Sequence, residues 1–156
     1  VKPNAVLVPT PESGTVRYDP LLVQPMREEL TNLGFEELLT PGDVDGVLGS
    51  ERRPTLVVVN SVCGCAAGMA RPGVAMALRH AVTPDRLVTV FAGMEVEAVD
   101  RVRSYFEGYA PSSPNIALFV GGRLVHMLER RDIEGRMAAE IAEELVAAFE
   151  RYCPRA

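Results

Sequence analysis

Thr55-Leu56-Val57-Val58-Val59-Asn60 runs directly into Ser61-Val62-Cys63-Gly64-Cys65-Ala66-Ala67-Gly68-Met69-Ala70-Arg71-Pro72, and the rest of the chain is ordered outward from this stretch. Its first six residues are apolar or β-branched at odd and even positions alike, a pattern a strand adopts when both of its faces are covered. A central strand of a parallel or mixed sheet is predicted. Ser61 to Cys65 then reads as a loop. The small residues after it predict a helix-like stretch to about Ala81, interrupted by Pro72-Gly73.

Toward the C-terminus, Arg86 to Ala92 predicts the next buried strand, and Glu95 to Tyr109 a helix with Val96, Val99, Val102 and Phe106 on its inner face. The punctuation then changes. Ile116 to Val120 and Arg123 to Leu128 are separated only by Gly121-Gly122, which signals a hairpin and not a crossover. A last long helix is predicted from Asp132, with Ile133, Met137, Ile141, Leu145 and Phe149 stepping along one face. Toward the N-terminus, Thr40-Pro41 couples a cap acceptor to a proline at the first helical position and predicts a brief helix to about Leu48. Phe35 to Leu39 reads as a short strand. Asp19-Pro20 opens an earlier helix that Gly34 closes, with Leu22, Met26, Leu30 and Leu33 at helical spacing. Residues 1–17, with Pro3, Pro9, Pro11 and Gly14 and no sustained period, read as an extended arm before a single domain over 18–156. A run of βαβ units closed by a hairpin and a helix implies an α/β fold: a mixed central sheet flanked by helices.

A length of 156 residues and an apolar content of 47% suit one globular domain. The net charge of −5 lacks the basic footprint of non-specific nucleic-acid or anionic-membrane binding, so neither partner is expected. The apolar runs are strand-sized and no basic stretch leads into an apolar core at the start, so the expected location is the cytoplasm, where thiols stay reduced. Three cysteines are too few, and odd in number, for a disulfide framework. Chemistry is the expected use.

Cys63 and Cys65 lie between a buried strand and a helix start, where free N–H groups and the helix dipole stabilise an anion such as a thiolate. Cys63, on the loop side, is expected to be the more exposed and the nucleophile, and Cys65, one turn inward, the resolving thiol. In an extended chain their α-carbons would lie roughly 7 Å apart, at the limit of a disulfide, so the backbone has to turn tightly. Gly64 permits that turn. A bridge across one residue closes a small ring, so an easily reduced, oxidising pair suited to exchange or isomerisation is expected. Two other readings stand beside this one: small buried hydrophobes at a turn, and a zinc or soft-metal carrier completed by His126 or Cys153. No second cysteine pair at structural zinc spacing accompanies the first, and no metal is assigned.

Val59 to Gly68 with Ala70-Arg71-Pro72 resembles the signature of the bacilliredoxin family, thioredoxin-like proteins with a Cys-Gly-Cys centre. Val125-His126-Met127-Leu128-Glu129-Arg130, Ile133-Glu134-Gly135-Arg136 and Cys153 resemble that family's C-terminal region, so the likeness spans about residue 17 to the end. The resemblance implies a thioredoxin-like fold with an extra N-terminal helix, and removal of bacillithiol from capped protein cysteines, with disulfide isomerase activity as the alternative. Cys63 would take the bacillithiol and Cys65 would resolve it. Bacillithiol is then a transient mixed-disulfide partner with no tightly bound cofactor, client proteins carry the bacillithiol or a disulfide, and a further partner reduces the enzyme. The absence of tryptophan removes the aromatic-flanked motif of ordinary thioredoxins. Ser113-Pro114 matches the position of the fold's cis-proline, and Pro72 that of the proline kinking its active-site helix.

Asn60 and Ser61 are candidates for hydrogen bonding around the loop, and Arg71 for contact with a substrate carboxylate, against the default of a solvated arginine. His126 reads as structural and Cys153 as packed on the apolar face of the last helix. Glu129-Arg130-Arg131-Asp132 reads as a solvated charge cluster. The arm and first helix offer a homodimer contact.

Overall fold

Alternation along the central strand divides the core in two. In the computed structural model, which describes residues 18–154, β2 (Thr55–Asn60) is buried at every position. Leu56 and Val58 belong to the cluster of Ala70 and Val74 on α3 (Gly64–Ala77) and Ile141, Leu145 and Phe149 on α6 (Ala138–Tyr152). Val57 and Val59 belong to the opposite cluster, with Val44 and Val47 of α2 (Pro41–Leu48) and Val99 and Val102 of α4 (Val96–Ser104). Each such side chain contributes about 1.5–3 kcal/mol on burial, which is why the strand carries no polar alternation.

The other strands are β1 (Glu36–Glu37), β3 (Arg86–Phe91), β4 (Asn115–Val120) and β5 (Arg123–Leu128), and the sheet order is β1-β3-β2-β4-β5. β1 and β2 run parallel to β3, whereas β4 is antiparallel to both β2 and β5. Gly121 (φ 63°) and Gly122 (φ 82°) supply the two positive φ values a two-residue hairpin turn needs. With α1 (Pro20–Thr31) in front, this is a mixed α/β, thioredoxin-like fold carrying one extra N-terminal helix. The extended arm expected over 1–17 lies outside the described residues.

Several boundaries differ from the sequence expectation, each for a local reason. Leu22 is 52% exposed and Val23, one step round the helix, takes the buried position. The Pro72-Gly73 pair does not interrupt α3, which runs to Ala77. Gly73 is instead a point of close approach between α3 and α6, since a β-carbon there would lie 2.8 Å from Ile141 Cγ2. The α4 helix stops at Ser104, before Tyr109. The last helix does not begin at Asp132. Arg130–Ile133 forms a separate short turn, α5, after which Gly135 (φ 79°) redirects the chain and α6 starts at Ala138. Ile133 is nevertheless in the core, while Met137 is exposed.

Register places the candidate site. Because β4 runs against β2 with Asn115 opposite Val59, the residues entering β4 lie beside those leaving β2. Ser113 and Pro114 are thereby brought to the Ser61–Cys63 loop.

Candidate active site

The loop is built on a buried guanidinium. Arg71, about two turns into α3, is 7% exposed. Its Nη1 donates to Asn60 Oδ1 at 2.9 Å and to the Ser61 carbonyl at 2.8 Å, and its Nε lies 3.2 Å from Glu29 Oε1 on α1. Asn60 Oδ1 also accepts the Ser61 N–H at 2.8 Å, while Asn60 Nδ2 donates to the Met26 carbonyl of α1 at 3.0 Å. Ser61 Oγ accepts the Cys63 N–H at 3.1 Å. Asn60 and Ser61 are both buried, so each bond satisfies a group whose orphaning would cost about 1–3 kcal/mol. Arg71 is therefore neither solvated nor directed outward at a substrate carboxylate; its Nη1 hydrogen bonds hold the loop. The extra helix α1 braces the same loop.

Cys63 caps the N-terminus of α3 with φ −67° and ψ 91°, and Gly64 turns the chain at φ 34°. The expected exposures are reversed: Cys63 is half-buried and Cys65 exposed. Ala66, Ala67 and Ala70 occupy the inner face of α3, which leaves Cys65 on its outer side. Both thiols are free. Cys63 borders a cavity of about 330 Å³ shared with Ser61 and Ser113, and the Ser113–Pro114 peptide is cis. Pro114 is buried at the start of β4.

A cation joins this group that composition and spacing had assigned to solvent. Arg130 donates to Glu134 at 2.8 Å and to the Ser113 carbonyl at 3.4 Å. Its affinity for its proton is raised first by the Glu134 hydrogen bond and then by the neighbouring Cys63. The neighbouring acids are occupied locally: Asp132 Oδ2 accepts the Glu129 N–H at 2.8 Å, capping the short turn that carries Arg130. The only trace of this in the sequence was that the C-terminal motif ended on Arg130. A guanidinium and a helix N-terminus, the two kinds of positive group a sulfur nucleophile draws on, thus border one cysteine.

The remaining candidates lie apart from this chemistry. His126 Nε2 pairs with Glu144 Oε2 at 2.8 Å, and Arg136 Nη1 with Glu144 Oε1 at 2.7 Å. Burial pushes the Glu144 carboxyl up, but the hydrogen bonds from Arg136 and His126 prevail and lower it. Cys153 is packed in the α3/α6 cluster, and burial pushes its thiol up to about 11. Among the described residues, no three His, Cys, Asp or Glu side chains are grouped to hold a metal ion.

A sulfur set beside a cation at a strand-to-helix junction is equipped for thiol exchange, and on this sheet it places the chain among the thiol–disulfide oxidoreductases with a thioredoxin-like fold. Residues 18–153 match the family described as Disulphide isomerase. The chain is 52% identical over 136 residues to a bacilliredoxin of Koribacter versatilis, covering 87% of this chain and 94% of that one. It is 50% identical over 132 residues to a bacilliredoxin of Staphylococcus aureus, covering 85% and 90%. The chain belongs to the bacilliredoxin family. Among solved structures, oxidized thioredoxin O2 from Arabidopsis thaliana is similar with a TM-score of 0.48 and 12% identity, covering 74% of this chain and 94% of that chain.

Proposed function

We propose that this oxidoreductase removes bacillithiol from capped cysteines of client proteins through Cys63 and Cys65. The observation that carries the reading is Cys63 at the N-terminus of α3 beside Arg130, with a second free thiol two residues on. The names of the relatives support the substrate. The Cys63 thiolate attacks the bacillithiol sulfur, forming a new disulfide as the old one breaks, and the electron pair leaves on the client cysteine. The Cys65 thiolate then attacks Cys63 Sγ, releasing bacillithiol as a thiolate and leaving a Cys63–Cys65 disulfide. Two electrons from an external thiol or dithiol reductant restore the pair. Free thiols of this kind suit a reducing compartment, and the cytoplasm is the proposed setting.

The test uses a bacillithiol-capped model protein followed by mass spectrometry. Cys63→Ser is expected to lower cap removal by about 1,000-fold or more, and Cys65→Ser to accumulate a mixed disulfide of bacillithiol on Cys63. Retained activity in Cys63→Ser overturns the assignment. The family's description as Disulphide isomerase favours a second reading, exchange among protein disulfides on the same pair. Failure to reactivate a protein with scrambled disulfides removes it.

A further inference from the structure

The cavity beside Cys63 contains a positive charge that the thiol cycle leaves unused. Arg103, on α4, lines it together with Ser61, Ser113, Val99 and Asp100. Its Nη2 donates to the Ser112 carbonyl at 3.0 Å, but its Nε is buried and has no acceptor among the described residues. Other part-buried arginines are paired: Arg27 with Glu37 and Glu95, and Arg136 with Glu144. Arg103 has no such carboxylate among the described residues. Burial works against its charge, and the field of Asp100 on the rim opposes that effect. A guanidinium stays charged regardless, so a half-buried one without an anion is poorly compensated.

Geometry says which molecule reaches it. After the first exchange the client leaves, and the group still bonded to Cys63 Sγ is the small thiol. A space of about 330 Å³ suits a small molecule and not a folded partner. We infer that Arg103 binds a carboxylate of the low-molecular-weight thiol that Cys63 takes up, and so selects anionic caps over neutral ones. This assignment rests on the cap-removal reading.

The experiment compares one model protein capped either with 3-mercaptopropionate or with its amide, which differ in charge and hardly in size. Removal rates are measured for the unaltered chain, Arg103→Gln and Arg103→Lys. Arg103→Gln is expected to lower the ratio of acid-cap to amide-cap rates about tenfold while the amide rate holds, as loss of one charge-assisted hydrogen bond predicts. Arg103→Lys is expected to restore part of the ratio. A ratio unchanged in Arg103→Gln, or both rates falling together as a folding defect would cause, overturns the inference and leaves cap removal standing. If the unaltered chain clears a bacillithiol cap but neither of these two, the inference fails alone; if it clears none of the three, the cap-removal reading fails and takes this inference with it.

Discussion

Cys63 and Cys153 carry the same thiol at opposite kinds of helix end. Cys63 caps the N-terminus of α3, half-buried beside a guanidinium; Cys153 caps the C-terminus of α6, buried among apolar side chains. The helix dipole favours an anion at the first position and opposes it at the second. Burial without a cation adds to that opposition and pushes the Cys153 thiol up to about 11. What separates the two cysteines in this chain is therefore the surroundings supplied by other elements.

Alkylation of the native protein at neutral pH, read peptide by peptide, puts the contrast at greatest risk. Cys63 is expected to be labelled about 1,000-fold or more faster than Cys153, because Cys153 reacts only when the α3/α6 core opens. Comparable rates would break the comparison. Replacing the cation sharpens it: Arg130→Gln is expected to slow Cys63 labelling roughly tenfold and leave Cys153 unchanged. An unaltered Cys63 rate would show that the helix terminus acts alone.

The smallest expected effect belongs to Cys153. Its native thiol is raised from 9.0 to about 11 by burial first and by Asp85 second. Below pH 9 both folded and unfolded chains hold the proton, and the buried neutral thiol contributes fully to stability. Between pH 9 and 11 the unfolded chain loses that proton while the folded chain keeps it, so the contribution falls. Cys153→Ala is expected to be about 1 kcal/mol less stable at neutral pH. That deficit should shrink across the alkaline window in denaturant titrations, and a constant deficit would contradict the burial account.

Local signals carried much of the fold. The boundaries of β2 and β5 and the glycine turn coincide with those expected, because a fully apolar strand and a two-glycine hairpin are written in neighbouring residues. The Thr40-Pro41 cap did the same for α2, where Thr40 Oγ1 accepts the Asp43 N–H at 3.1 Å. The periodic face from Ile133 to Phe149 misled. It predicted one helix across Gly135, since a repeat of buried positions does not reveal that the chain turns between them.

The candidate site divides along the same line. The sequence by itself determined the two thiols, the glycine between them, the helix that begins there and the proline ahead of the hairpin, since each is a matter of adjacent residues. Only the tertiary structure decided that Cys63 and not Cys65 is withdrawn from solvent, that Arg71 is a buried brace, and that Arg103 and Arg130 border the sulfur's surroundings. The physical reason is register. Pairing Asn115 with Val59 across β4 and β2 carries Ser113 to the loop, and with it the Ser113 carbonyl to which Arg130 donates. No spacing along the chain encodes a meeting between residues 63 and 130.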